Sequence, residues 1–298
     1  VSAWRAGGIL ASFLVLTVPL MPVQALFVRF APSFARKFPH WYHRQVCRLI
    51  GVKLDIEGAV ERGKPVLLVA NHTSWIDIPV LSAVAPLSFI AKKEVGRWPF
   101  VSSLARLQRT VFVDRERRTA VGETTSEIAA RLRDGDTVVL FAEGTSSDGS
   151  TVLPFKTSLF AAVKPPGKAG AADAGTAIAG DAVVQTISLS YTRLHGLPIG
   201  RGDRPLVGWY GDMEMQSHAW ALLKAGPLDA RIRIGPPVPL ADFANRKDLA
   251  LRSENEIRAN VVQFARGRAE SVQPTRPPEN VARVARTTQA RQPPGKWV

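Results

Sequence analysis

Three features of this 298-residue sequence predict an α/β fold, a mixed and largely parallel sheet flanked by helices. Short runs rich in Val, Ile, Leu and Phe recur along the chain, bounded by Gly, Pro or charged residues. Segments of helical periodicity lie between several of these runs. The run VLLVA at 66–70 is apolar throughout, as a strand covered on both faces must be.

The chain opens with an uncharged stretch, Ala6 to Val28, long enough to cross the hydrocarbon core of a bilayer. Trp4 and Arg5 precede it, and Arg29, Arg36 and Lys37 follow, a charge bias that keeps the downstream chain in the cytoplasm. Residues 1–37 are therefore expected to anchor the protein in a membrane. Pro19 and Pro22 would kink a helix, so a re-entrant or oblique hairpin also fits. From Phe38 to Val52, Tyr42, Val46, Leu49 and Ile50 share one helical face, which suits a helix at the membrane interface or one packed on the sheet.

Residues 38–266 make up the expected α/β domain. Strands are expected at 52–57, 66–70, 87–91, 110–114, 136–142, 183–191 and 229–235, and helices at 77–84, 119–133, 156–163 and 247–266. The segment 164–182 is rich in Gly, Ala and Pro and reads as a long flexible surface loop. The basic, proline-rich tail 267–298 has few large apolar residues to bury and is expected to be disordered.

Composition limits the partners. A net charge of +14 favours something anionic: nucleic acid, an anionic lipid surface or an acidic carrier. Cys47 is the only cysteine, so an intramolecular disulfide is excluded. The sequence has no metal-ligand cluster, dinucleotide fingerprint or P-loop, and no metal or other cofactor is expected.

The stretch VLLVANHTSWIDIP, 66–79, carries the chemistry. On one continuous helix or strand, His72 and Asp77 point apart. A strand ending near Ala70, a turn, and a helix starting near Ser74–Asp77 would bring them together. Ser74 is a good N-cap, and a carboxylate in the first helical turn is favoured by the helix dipole. A histidine oriented by a carboxylate is the standard arrangement for a general base near neutral pH. The nearest approach to a nucleophile elbow, GTSSD at 144–148, ends in Asp148 where glycine is needed. The base is thus expected to activate a substrate hydroxyl or a water.

Two further blocks follow. RTVFVDRERR, 109–118, is a strand ending among arginines, suited to recognising an anion. VVLFAEGTSSDG, 138–149, sets Glu143 and Gly144 at another strand end, the edge where open α/β sheets hold their sites.

Taken in order, N-H-x4-D, F-V-D-R and E-G-T resemble the glycerolipid acyltransferase superfamily, which includes lysophosphatidic acid acyltransferases. The similarity spans residues 40–240. It implies His72 as general base and Asp77 as its partner, the acceptor hydroxyl attacking a thioester directly. Asp114 and Arg115 match the block that helps bind the acceptor head group; Glu143, Gly144 and Thr145 match the third block. Arg109, Arg115 and Lys156 are candidates to hold a carboxylate or phosphate. The implied partners are a lyso-lipid acceptor, an acyl-carrier-protein or acyl-CoA thioester as cosubstrate, and an anionic membrane surface, with no nucleic acid. The implied location is a bacterial inner membrane, with the catalytic domain on its cytoplasmic face.

The sequence departs from the family at two blocks. Ala142-Glu143-Gly144-Thr145-Ser146 stands where Pro-Glu-Gly-Thr-Arg is frequent, and VVQTISLSY carries Gln185 and Thr186 in a block that often contains Pro-Val. EGTSSDG followed by LPFKTSLF is similar to bacterial enzymes that acylate lyso-ornithine lipid, whose head group is an amino acid. Two alternatives stay open. Water at the same His–Asp pair would give a lipid hydrolase or thioesterase, and a non-catalytic basic protein binding membrane or nucleic acid would account for the charge.

Overall fold

The computed structural model describes residues 3–113, 120–162 and 182–267. Its N-terminus is a helical hairpin. Helix α1 (Ala3–Phe30) runs unbroken through Pro19 and Pro22, and α2 (Pro32–Ile50) starts with proline at a position whose N–H needs no partner. Gly51 ends α2 at φ 87°, a left-handed cap that favours glycine.

The two helices run antiparallel. Phe27 stacks on Phe34 beside the turn, the Thr17 and Tyr42 hydroxyls meet at 2.6 Å, and Arg5 donates to Ile50 O at 2.9 Å. Polar side chains also tie α1 to the rest of the molecule. Arg5 donates to Leu223 O, and Gln24 Nε2 donates to both Ala35 O (3.0 Å) and Leu107 O (2.8 Å). The N-terminal hairpin and the α/β domain therefore belong to one unit.

After the hairpin come β1 (Val52–Glu57), β2 (Val66–Ala70), α3 (Asp77–Ser82), β3 (Ser88–Lys92), α4 (Val101–Leu107), β4 (Val111–Val113), α5 (Ala120–Arg133) and β5 (Thr137–Phe141). Then follow β6 (Val183–Leu194), β7 (Leu197–Pro198), α6 (Arg204–Val207), α7 (Met215–Ala225), β8 (Leu228–Ile234), β9 (Val238–Pro239) and α8 (Arg246–Arg266). The sheet order is β1-β8-β6-β2-β5-β3-β4, with β7 and β9 also on β6. Pairing is parallel except where β6 meets β8, β7 and β9.

All five residues of β2 are buried because the sheet is covered twice. Val66, Leu68 and Ala70 face a core completed by α2, α3, α7 and the start of α1; Leu67 and Val69 face α5 and α8. Strand period two thus sorts one apolar run between two cores.

The mixed, largely parallel α/β sheet expected from the sequence is what forms. Expected strand 52–57 and strand 66–70 coincide with β1 and β2 residue for residue. Three expectations change. The 156–163 segment is a 3-10 turn, Thr157–Ala162, and α4 and α7 had not been foreseen. Ser74 does not cap α3 with its hydroxyl, which is buried without a partner among the described residues. Asp77, the first residue of α3, instead reaches back to the Ser74 N–H at 3.0 Å. The expected loop at 164–182 and the tail beyond Gly267 lie outside the described residues, apart from Ala182.

Candidate active site

Parallel strands β2, β5, β3 and β4 all finish on one edge of the sheet, and the long strand β6 passes beyond that edge. Ala70, the last residue of β2, is level with Ile187, and β6 continues to Leu194. The chain leaving β2 therefore lies against the far half of β6. Asn71 fixes it there: its side-chain amide donates to Leu189 O and accepts from Leu189 N, both at 2.9 Å.

The turn after Asn71 is cross-braced. Glu143, one residue beyond Ala142 at the end of β5, accepts the His72 N–H at 2.8 Å and the Leu153 N–H at 2.9 Å. Ser147 N donates to His72 O at 3.0 Å, and Trp209 N donates to Thr73 O at 2.9 Å. Gly144 permits the turn that delivers these groups by holding φ 70°. The backbone around His72 is thus fixed from two loops, the one after β5 and the one that carries Trp209.

Within this frame His72 Nδ1 lies 2.8 Å from Asp77 Oδ2. The same oxygen accepts the Thr73 N–H at 2.7 Å and the Ser74 N–H at 3.0 Å, while Oδ1 accepts the Tyr191 hydroxyl at 2.7 Å. Asp77 is fully buried, and these four donors replace its lost hydration. Burial and the nearby Asp77 charge push the Tyr191 hydroxyl well above its ordinary value, so it stays a donor. The Tyr191 ring is aimed there at a register shift between Tyr191 and Arg193, a β-bulge of the kind that re-aims side chains beside sites.

The His72 ring stacks on Phe141 with centroids 4.1 Å apart and is partly exposed. Asp77 takes Nδ1, which fixes the tautomer and leaves Nε2 as the basic nitrogen. Such a ring can take a proton from a group arriving at the sheet edge and hold the resulting charge against Asp77. Glu143 has another character. Burial pushes its carboxyl up to about 7 despite the two N–H bonds. Both of its oxygens are spent on backbone, so its place is to set the loops.

A neighbouring wall closes one flank. Trp75 Nε1 donates to His218 Nδ1 at 3.0 Å, joining the turn that holds His72 to α7, and Trp98 meets Trp209 edge to face at 6.1 Å.

Comparison with known proteins bears on what this site does. Residues 52–188 match the family model "Acyltransferase". The "Lyso-ornithine lipid O-acyltransferase" of Brucella abortus is 46% identical over 87% of this chain and 95% of its own length. The chain belongs to the acyltransferase family. The protein of the same name from Rhizobium meliloti is 40% identical, over 85% of this chain and 84% of its own. A Neisseria meningitidis "1-acyl-sn-glycerol-3-phosphate acyltransferase" is 32% identical over 71% of this chain and 77% of its own. The crystal structure of the 1-acyl-sn-glycerophosphate (LPA) acyltransferase PlsC from Thermotoga maritima superposes with a TM-score of 0.63. It covers 91% of this chain and 96% of its own at 20% identity, which shows the shared fold.

In this acyltransferase the residues expected at the site separate into groups. His72, Asp77, Glu143 and Gly144 come together. Thr145 and Lys156 lie at the same edge with exposed side chains; the Lys156 N–H also bonds Ala142 O at 2.9 Å. Asp114 and Arg115 lie outside the described residues, although Val113 before them ends β4 on this edge.

Arg109 is a correction. It precedes β4 and so lies at the opposite end of the sheet, where it pairs with buried Asp136 at 3.0 and 2.8 Å. Gln185, one of the departures from the family pattern, has a structural place. Near the start of β6 it bonds Glu61 N, Ala59 O and Gly235 O and knits loops together. Tyr191, Asn71 and the Trp75–His218 pair had not been singled out in the sequence. The N in N-H-x4-D was a signal for Asn71; nothing local marks Tyr191.

Proposed function

We propose that this acyltransferase moves a fatty acyl group from an acyl-carrier-protein or CoA thioester to the hydroxyl of a lyso-lipid, with lyso-ornithine lipid the preferred acceptor. The observation that carries the mechanism is the 2.8 Å contact between His72 Nδ1 and a buried, four-fold bonded Asp77. His72 Nε2 takes the acceptor's hydroxyl proton as its oxygen bonds to the thioester carbonyl carbon. The tetrahedral intermediate collapses by breaking the C–S bond, and the imidazolium returns the proton to the leaving thiolate. One hydroxyl and one thioester thereby give one ester and one thiol, and Asp77 stabilises the imidazolium between the two transfers.

The acceptor assignment is supported by the names of the two relatives that share most of this chain's length. It is supported too by Ser146, which occupies the third-block position where an arginine is frequent, its hydroxyl bonded to Trp209 O.

Attachment to the cytoplasmic face of a bacterial inner membrane fits α1 and α2. Helix α1 is long and apolar enough to cross a bilayer, yet its Arg5 and Gln24 are bonded to Leu223 O and Leu107 O of the α/β domain, and its Thr17 to Tyr42 of α2. A helix tied to the domain at two points well apart along its length suits a position lying on it. Its exposed face, with Trp4, Val15, Leu26 and Phe30, continues into Phe34 and Trp41 of α2 and suits immersion in one leaflet.

The test offers purified protein lyso-ornithine lipid and lysophosphatidate with each thioester and identifies the lipids by mass. Diacylated ornithine lipid is the expected product. Strong preference for lysophosphatidate would sink the acceptor assignment, and release of free fatty acid in place of a new ester would make the protein a thioesterase.

A further inference from the structure

Between β3 and α4 the chain takes a path that a bulky residue rarely adopts. Phe100 lies at φ 64° and ψ −52°, and Val101 N donates to Pro99 O at 2.7 Å across it. That is a γ-turn of the left-handed kind, strained for any residue with a side chain and an outlier for an aromatic one. Backbone strain of this sort persists where it positions something, and here it positions a ring. Phe100 meets Phe13 of α1 edge to face at 6.4 Å and still remains exposed.

The ring stands in a row. On one side Leu10, a turn before Phe13, and Leu14, next to it, are exposed on α1. On the other, Trp98 meets Trp209, whose N–H donates to Thr73 O beside His72 and whose carbonyl accepts the Ser146 hydroxyl. The imidazole lies on this same face of the sheet. It stacks on Phe141, and Phe141 stacks on Phe89 at 6.1 Å, both in the core that α1 helps to complete. Phe13, Phe100, Trp98 and Trp209 thus lead from the outward surface of α1 to the turn that holds His72.

We propose that Phe100 is a specificity-determining residue for the acceptor, the fatty chain of the lyso-lipid lying along Phe100 and Trp98 while its hydroxyl is at His72. This assignment rests on the lyso-lipid reading above and names what holds the part of the acceptor that does not react. A lyso-lipid has one apolar chain, and bringing its hydroxyl to the sheet edge exposes that chain to water unless protein covers it. The aromatic row offers the cover. The Trp209 indole N–H is already bonded to Met213 O at 2.7 Å, which leaves its ring as apolar surface. The chain of the acceptor fits better than that of the donor because the row begins at α1, whose outward face suits immersion in a leaflet. A lyso-lipid comes from the leaflet, whereas the thioester arrives through water on its carrier.

The experiment measures kcat/KM for acceptors with one head group and single chains of increasing length, kept below the concentration at which they form micelles, with one fixed donor. Each methylene buried is worth up to about fourfold in affinity. Wild-type protein should therefore gain with each methylene added. In Phe100→Gly the series should flatten, the advantage of the longest acceptor over the shortest falling by at least about tenfold and through KM. Glycine adopts this turn without strain, so the variant removes the ring and leaves the backbone its path. An acceptor series as steep in Phe100→Gly as in wild type overturns the assignment. So does a flattened donor series, measured with one fixed acceptor, in place of the acceptor series, since it gives the row to the donor.

A further arm needs no variant and so is indifferent to folding. A lyso-lipid with a diazirine partway along its chain should, on irradiation, label wild-type protein within Trp98–Phe100 or on the facing Phe13 and Trp209, as located by peptide mass. Labelling confined to other segments also overturns the assignment. Release of free fatty acid with no new ester from any acceptor rejects the lyso-lipid reading itself, a result distinct from these.

Discussion

At the end of the sheet where β4 and β5 begin, Arg109 faces Asp136 through both terminal nitrogens, with Arg36 and Arg131 also within 4 Å of that carboxylate. At the end where β2 and β5 finish, His72 faces Asp77, which three other donors hold. Both ends bury an aspartate against a basic side chain. They differ in what is left over. Arg109 is locked into a fork and lies at φ 61°, a backbone strain that the ion pair helps to hold in place. His72 gives Asp77 one nitrogen, and the other is the one the proposed mechanism uses. A buried charge pair becomes a candidate site when one member retains unused capacity at an accessible edge.

Substitution at each end should separate the two roles. His72→Ala is expected to lower turnover by about 10²–10⁴-fold, the usual scale for loss of a general base, with the thermal unfolding midpoint nearly unchanged. Retention of wild-type turnover would remove His72 from the mechanism. Arg109→Met should do the reverse. It leaves the buried Asp136 carboxylate to the more distant Arg36 and Arg131 and should cost about 1.5–3 kcal/mol of stability, the worth of a hydrogen bond to a charged group, while KM for the lyso-lipid stays at the wild-type value. A large rise in KM without a loss of stability would return Arg109 to the site and erase the contrast between the two ends.

Tyr191 sharpens the comparison within the catalytic end. In the proposed mechanism it touches Asp77 and not the reacting atoms, which makes it a positioning residue. Tyr191→Phe removes one of four donors to a buried carboxylate, a bond worth about 1.5–3 kcal/mol when the acceptor is charged. Turnover should fall about tenfold or more through kcat, with KM little changed and the pH dependence of kcat displaced. A variant that loses only stability, with an unaltered pH profile, would reduce Tyr191 to a packing residue.

The local half of this architecture was legible in the sequence, and the non-local half was not. VLLVA followed by NHTSWID forces a buried strand, a turn and a short helix, and that path alone brings His72 to Asp77. Tyr191 is 114 residues from Asp77, and its aim depends on a bulge where β6 meets β8, which no local pattern encodes. Arg109 misled because its charge drew more notice than its position. It precedes its strand, and in a parallel sheet that places it at the end away from the residues that follow theirs. Helix α7 was missed although Leu222, Leu223 and the Gly226–Pro227 stop gave a usable signal.

The pH dependence of stability offers the finest test, because the two ends titrate in opposite senses. At the finishing end, burial raises Glu143 from 4.5 to about 7, so between these values the folded state holds a proton that the unfolded chain has released. Its contribution is complete below 4.5 and is lost as pH rises through 7. At the starting end, His43 bonds the Ser82 hydroxyl at 2.9 Å, which Gln108 also meets, and desolvation between α2 and α3 pushes the ring down from 6.5 to about 3. Its contribution is present above 6.5 and is lost as pH falls towards 3. Each slope is at most about 1.4 kcal/mol per pH unit, and between 4.5 and 6.5 they oppose each other and nearly cancel. Denaturant unfolding across that window should therefore give a near-plateau for the wild type. Glu143→Gln should tilt it so that stability rises with pH, and His43→Gln should tilt it the other way. Parallel plateaus in all three proteins would mean that neither group changes its proton affinity on folding.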